Sequence, residues 1–256
     1  MSSDTLPDAM SEDAFLGGRV RLRQPVSGNR AGLDALLLAA AVPARDGERL
    51  TDFGAGSGIA GLAVAARCGS LDLLAVDSDP AMVELAASNF ALNGANGRAI
   101  RADLTASGAE REAAGLAPDA ADHVIANPPF LDPAAARLPP EASRAGAFGA
   151  DPGDLDIWLR AAVGHVRPGG TVTVIHRADA LDRLLAAMTG RLGDVAILPV
   201  LPRADSPAIR VIAQGVKGSR APLRLLPPLV LHVDGGNGYT ARARAILEDG
   251  RALDLR

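Results

Sequence analysis

The stretch LTDFGAGSGIAGLAVAARCGSLDLLAVDSDP, residues 50–80, sets the architecture of the chain. A short strand, Leu50 to Phe53, meets three alternate glycines, Gly54, Gly56 and Gly58, and then IAGLAVAAR, a small-residue helical segment. A second strand, LDLLAVD, ends at Asp77, and Asp79-Pro80 then open the helical stretch PAMVELAASNFALN. Asp79 is placed as an N-cap, and Pro80 falls in the first turn, where its missing N–H is no loss. Strand, tight turn, helix, strand is the unit of a parallel sheet covered by helices.

The alternation continues downstream. Arg98 to Ala102 and Ala120 to Ala126 read as strands, Leu155 to Val166 as a helix stopped by Pro168-Gly169-Gly170, TVTVIH as a strand, ALDRLLAAM as a helix and VAILPVL as a strand. The segment AIRVIAQG follows with no helix between, which implies a hairpin and an antiparallel strand. The expected fold is therefore α/β and Rossmann-like, a three-layer α/β/α sandwich on a seven-stranded, mostly parallel sheet with an antiparallel last strand. Upstream, residues 1–14 read as a loose tail and residues 15–45 as an extension packed on the core. In it Arg19-Val20-Arg21-Leu22-Arg23 alternates as a short strand, and Asp34 precedes LLLAAAVPA, a helix ended by Pro43. Residues 46–256 form the main domain.

Composition limits the functional classes. Of the 256 residues, 48% are hydrophobic and 22% charged, which fits a compact core and excludes a wholly disordered chain. No run approaches the roughly 20 apolar residues of a membrane helix, and the acidic N-terminal residues do not resemble a secretory signal, so the cytoplasm is the expected compartment and no membrane partner is expected. Cys68 is the sole cysteine, so no disulfide and no thiolate cluster is available, and no metal site is expected. A net charge of −4 argues against indiscriminate coating of nucleic acid. A monomer is the default.

The glycine turn at Gly54, Gly56 and Gly58 lets the backbone come close to a ligand at a helix N-terminus. Gly56 to Gly61 also satisfies the dinucleotide pattern GxGxxG, so the turn alone does not choose its cofactor. Asp77, 23 residues after Gly54, is placed to accept hydrogen bonds from ribose hydroxyls, and NAD would use it equally well. Asp52 and Asp103 stand at two further strand ends, Asp103 where an adenine amino group would lie.

DHVIANPPF, residues 122–130, is the second decisive motif. A strand ends at Ala126, and Pro128 and Pro129 hold a fixed turn. Asn127 and the Pro128 carbonyl then offer acceptors for a substrate NH2, and Phe130 a flat apolar face. Methylation of an amine on a ring or amide needs this arrangement. The nitrogen lone pair is delocalised, and drawing both protons toward acceptors favours its rehybridisation as the methyl arrives. The catalytic set read here is Asn127, Pro128, Pro129 and Phe130.

DFGAGSGIAGLAV, the acid of AVDSDP, the Asp of RADL and NPPF together resemble the class I S-adenosylmethionine (SAM) dependent methyltransferases of the amino-methylating branch. That branch holds nucleic-acid adenine-N6 and guanine-N2 enzymes and release-factor glutamine methyltransferases. RVRLRQPVSGNRAGLDALLLAAAVPA, the arginines after NPPF, PGGTVTVIHRADALDRL and SPAIRVIAQGVKGSRAPLRLLPPLVLHV are similar to the bacterial enzymes that methylate N6 of adenosine 37 in valine tRNA. The resemblance runs from about Phe15 to Gly250. It implies SAM as cofactor, with Gly54, Gly56 and Gly58 around its methionine moiety, Asp77 on the ribose, and Asp103 and Leu104 on the adenine. It implies Asn127 and Pro128 on the target amine and Phe130 stacked on the target base, with Gly32 and Asp34 bordering the cofactor, and the cofactor-binding set read here also takes in Asp52 and Asn127. Many relatives carry Tyr at Phe130 and a small polar residue at Leu33. Stacking survives the first change, and the second places an apolar side chain beside Asp34.

For a tRNA partner, Arg19, Arg21 and Arg23 on one strand face, Arg137 and Arg144 in the proline-rich loop 132–154, and Lys217, Arg220 and Arg224 are the candidate phosphate contacts. The loop itself fits a substrate lid, and His176 reads as a satisfied structural histidine. A protein glutamine, a ribosomal-RNA guanine or adenine, or a small heteroaromatic amine is the alternative acceptor within the same chemistry. An NAD-dependent dehydrogenase would leave NPPF without a task, and a non-catalytic RNA-binding module would retain tRNA without turnover.

Overall fold

The computed structural model describes residues 10–26, 32–129 and 155–256. The first βαβ unit is β3 (Arg49–Phe53), α2 (Ile59–Cys68) and β4 (Asp72–Asp77), preceded by the hairpin β1 (Met10–Phe15) and β2 (Val20–Pro25) and by α1 (Leu33–Ala40). Next come α3 (Pro80–Leu92), β5 (Gly97–Arg101), α4 (Gly108–Ala113) and β6 (Ala121–Ala126). After residue 154 the chain continues as α5 (Leu155–His165), β7 (Val166–Arg177), α6 (Leu181–Met188), β8 (Leu192–Leu201) and β9 (Arg210–Lys217). Two-residue strands β10 (Arg224–Leu225) and β11 (Leu229–Val230) and a last helix, α7 (Ala241–Leu247), complete it.

The central sheet runs β10-β8-β9-β7-β6-β3-β4-β5, with β11 also on β8. β9 lies between β7 and β8 and is antiparallel to both, while the pairs β7-β6, β6-β3, β3-β4 and β4-β5 are all parallel. The result is the Rossmann-like α/β/α fold with a mixed sheet. Its strands alternate between two cores: Leu73 and Ala75 of β4 join the core under α1, α2 and α3, whereas Leu74 and Val76 join the core under α5 and α6. Burial on both faces explains why these strands read as continuous apolar runs instead of alternating ones.

Three expectations change. The sheet holds nine strands among the described residues, because β10 and β11, set among Pro222, Pro227 and Pro228, are too short to show a period. The antiparallel strand is accordingly not the last one in the chain. Residues 10–14 are not tail: β1 pairs residue for residue with β2, from Met10 opposite Pro25 to Phe15 opposite Val20. Helix α4 was not foreseen, although Ser107 and Glu110 form a reciprocal capping box at its start. The lid expected at 132–154 lies outside the described residues.

The N-terminal edge of the parallel strands is held by paired polar groups. The Asp122 carboxylate accepts from the Arg49 backbone N–H at 2.8 Å and from the Arg49 Nε at 3.2 Å, and Arg167 donates to its other oxygen. Burial alone would raise Asp122, but the hydrogen bonds from Arg167 and Arg49 outweigh it and hold the carboxyl down at about 2. A depressed carboxyl stabilises the fold above its unfolded value near 3.9, and that contribution fades as pH falls through the folded value. With both arginines half exposed, the group contributes about 1–2 kcal/mol. Asp122→Asn is expected to lower the melting temperature at pH 7 by about 2–8 °C, with the difference closing between about pH 4 and pH 2; thermal unfolding followed by circular dichroism across that range checks it.

Candidate active site

At the opposite, C-terminal edge of the strands opens a cavity of about 1010 Å³. Its floor is the turn between β3 and α2. The backbone N–H groups of Gly54 and Ala55 both donate to the Val76 carbonyl, at 2.8 and 3.1 Å, which draws the turn onto the end of β4. The Gly56 N–H then reaches Asp77 Oδ2 at 3.0 Å. Gly54 has φ +66°, and a Cβ there would stand 2.6 Å from the Trp158 ring, so the position admits only glycine on two counts. Gly56 has φ +53° and open space where its Cβ would be, which is the room a ligand needs to lie on the backbone.

Gly58 does something else. It is the N-cap of α2 at φ +81°, is absent from the cavity wall, and its Cβ would press on Phe90 at 2.9 Å. Its lack of a side chain lets α2 and α3 pack.

The cavity wall includes Gly32, Asp34, Asp52, Asp77, Asp103 and Leu104, and also Asn127, Pro128 and Pro129. Asp77 is the last residue of β4, and Asp103 follows β5 in a turn closed by hydrogen bonds from the Thr105 backbone N–H (2.8 Å) and hydroxyl (2.7 Å). Asp52 is 5% exposed, and its Oδ2 has no partner among the described residues; the same holds for Asn127 Oδ1. Buried acceptors left unpaired in a cavity await a donor from a ligand. Burial pushes the Asp52 carboxyl up to about 7 against a backbone hydrogen bond from Gly61, and the neighbouring Asp77 charge adds to the rise.

Among the lining residues that the sequence did not single out are Trp158 on α5, Ile209 just before β9 and Arg210 at its start. Trp158 stands in a helix that showed only apolar periodicity. Arg210 stands in a strand, and nothing local marks it as facing Asp34, whose Oδ2 accepts from its Nε at 2.8 Å.

The candidate phosphate contacts among the described residues are absent from the cavity wall. Lys217 Nζ donates to Asp119 Oδ1 (2.6 Å) and to the carbonyls of Val163 (2.7 Å) and Val166 (2.8 Å), which caps the end of α5 at the N-terminal edge of the sheet. Arg224 pairs with Asp194 at 3.0 Å beside the first half of β8, and Arg220 follows β9 at that edge. Arg21 is paired with Glu12 at 2.5 Å, and Arg23 with the same carboxylate at 3.6 Å. Arg19 precedes β2 and donates to Leu16 O at 3.0 Å. Among these, Arg23 lies nearest the cavity in sequence, one residue before Gln24 and Pro25 of the wall. Phe130, Arg137 and Arg144 lie outside the described residues. His176 is 3% exposed and forms no part of the wall.

The methyltransferase small domain family model matches residues 27–139. A solved structure of a predicted O-methyltransferase from Agrobacterium tumefaciens is 30% identical, with a TM-score of 0.74, over 87% of this chain and 99% of that one. The chain belongs to the class I SAM-dependent methyltransferases. A curated relative of this family, the tRNA1(Val) (adenine(37)-N6)-methyltransferase of a Flavobacteriaceae bacterium, is 30% identical over 105 residues, 40% of this chain and 42% of that one. The release factor glutamine methyltransferase of Xylella fastidiosa is 32% identical over 139 residues, 51% of this chain and 47% of that one. The matched region thus spans less than half the length of either curated relative.

SAM is the family's cofactor, and the cavity fits it. Gly56 leaves space on the turn, the Asp77 carboxylate stands where ribose hydroxyls would donate, and Asp52, Asp77 and Asp103 make an acidic wall for a ligand that carries a sulfonium and an ammonium. No group of three His, Cys, Asp or Glu suited to a metal ion occurs among the described residues, nor does a helix long and apolar enough to cross a membrane.

Asp52 supplies a test of this fit. A carboxyl raised from about 4 to about 7 stabilises the fold fully below pH 4, and the contribution is lost as pH rises through 7. Asp52→Asn, a neutral isostere, is expected to be more stable than the unmodified protein at pH 8 by about 2–4 kcal/mol. The gap should narrow toward pH 4 in urea unfolding, while calorimetry at pH 7 shows SAM binding weakened by about 10-fold or more.

Proposed function

We propose that the chain transfers the SAM methyl group to an exocyclic amino nitrogen of a nucleobase, N6 of adenosine 37 in a tRNA being the substrate favoured. The observation that carries this reading is the buried, unpartnered Asn127 Oδ1 at the cavity wall, followed by two residues that have no N–H. Proline at 128 and 129 leaves the turn with carbonyls and no backbone donors, so a group that approaches it must itself donate. An amino group on an aromatic ring donates two hydrogens. Asn127 Oδ1 accepts one and the Pro128 carbonyl the other, which fixes the nitrogen and pulls its lone pair out of conjugation toward the cofactor side of the cavity. When bound, SAM supplies an electrophilic methyl on a sulfonium that departs as a neutral thioether. Similarity to a curated tRNA adenine-N6 enzyme supports the nucleobase acceptor.

The second reading, a protein glutamine side-chain amide, is favoured by the 32% identity to a release factor glutamine methyltransferase over the longer match. The net charge of −4 and the engagement of Lys217, Arg21 and Arg224 by carboxylates of this chain also weigh for it. Both acceptors present the same planar NH2 to Asn127.

Labelled SAM offered with tRNA lacking the modification, and separately with purified release factor, separates the two. Label in tRNA, recovered as N6-methyladenosine next to the anticodon, is the expected result; label in the release factor alone would move the assignment to glutamine. Asn127→Ala is expected to reduce transfer by about 100-fold or more, with the dissociation constant for SAM changed less than about 5-fold.

A further inference from the structure

The cofactor of this family is an amino acid at one end and a nucleoside at the other, and the cavity has a charge pattern to match. Acids at the ends of β3 and β4 and just past β5 suit the cationic and hydroxyl groups. The single anionic group of SAM is its α-carboxylate, which needs a cation or a cluster of N–H donors. Among the described residues of the wall, Arg210 is the only cation, set against Asp34, Asp52, Asp77, Asp79 and Asp103.

Arg210 begins β9, opposite Arg177 of β7 and Val200 of β8, and so stands on the same edge of the sheet as Asp77 and Asn127. Its Nε is held at 2.8 Å by Asp34 Oδ2, and its Nη1 donates to the Ile209 carbonyl at 3.0 Å. Asp34 lies in the first turn of α1, whose N-cap, Gly32, provides no side-chain hydrogen bond, so that the positive end of this helix also faces the cavity wall at Gly32 and Leu33. One turn later Leu38 of α1 and Ile59 of α2 line the same cavity, and β9 lies on the opposite side of β3 in the sheet from β4 and β5, which lead to Asp77 and Asp103.

We propose that Asp34 and Arg210 form a clamp for the zwitterionic amino-acid end of the cofactor. Arg210 takes the α-carboxylate and Asp34 takes the α-ammonium, each side chain meeting its opposite charge on the ligand. The pair therefore selects ligands that carry the whole amino acid over nucleosides that lack it. The inference rests on the cofactor and is independent of the acceptor. It joins the first helix to a strand about 175 residues later, which no local motif would link.

Calorimetric titration of the full chain with S-adenosylhomocysteine, its methyl ester and 5′-methylthioadenosine tests it without turnover. Arg210→Gln is expected to weaken S-adenosylhomocysteine binding by about 10- to 100-fold and to leave 5′-methylthioadenosine within about 2-fold. In the unmodified protein, esterifying the carboxylate costs a similar factor, and in Arg210→Gln it costs less than about 3-fold, because the interaction is already gone. Equal weakening of all three ligands by Arg210→Gln would overturn the clamp in favour of a structural ion pair. No weakening of any, or an ester that binds the unmodified protein as tightly as the acid, would also overturn it. The ester comparison on the unmodified protein needs no variant and decides the carboxylate contact even if Arg210→Gln folds poorly.

Discussion

Two backbone amides on one carbonyl organise this active site. Gly54 and Ala55 both donate to Val76 O, and the turn between β3 and α2 is thereby pinned across the neighbouring strand. This contact fixes where α2 starts, where Asp77 lies relative to Gly56, and how much open backbone is left for a ligand. It is possible only because Gly54 sits at positive φ beneath the Trp158 ring, so a residue on α5, a hundred positions away, sets the side-chain size at the first glycine. The cofactor platform is thus a product of tertiary packing from both faces of the sheet.

The two edges of the sheet treat charge in opposite ways. At the N-terminal edge Asp122, Lys217 and the Glu48–His123 pair are each matched with partners in the chain, and they stabilise the fold. At the C-terminal edge Asp52 and Asn127 keep buried oxygens without partners, an arrangement that costs stability and is characteristic of sites that await a ligand. A buried carboxyl held near pH 7 is tolerable beneath a cationic cofactor and wasteful anywhere else.

Much of this was legible in sequence. The strand-helix alternation from Leu50 onward, the Asp79 N-cap with Pro80 and the antiparallel β9 all emerge from local rules, because each depends on residues within a few positions of one another. The acids at the strand ends were legible for a related reason: a parallel sheet places every strand's C-terminus on one edge, so that order along the chain becomes position at the site. Other features depend on long-range geometry. Lys217, Arg220 and Arg224 were grouped with the catalytic turn by charge alone, yet β9 runs antiparallel and carries its C-terminal end to the far edge. Arg210, at the other end of the same strand, reaches the cavity for the same reason and was overlooked. Trp158 gave no signal beyond apolar periodicity, and β1 was hidden in an acidic, polar segment with no apolar run.

The place of β9 in the sheet also orders events during synthesis. β8 is made before β9 but touches β7 only through it, so β8 has no docking edge on the sheet until residues 210–217 have emerged. Until then the open side of β7 stays exposed, and the growing chain carries an unpaired strand edge of the kind that invites mispairing. When β9 inserts, it closes the sheet and delivers Arg210 to Asp34 in the same step. The binding cavity is therefore incomplete until this strand arrives, and a nascent chain with every glycine-turn residue in place still lacks one wall of its site.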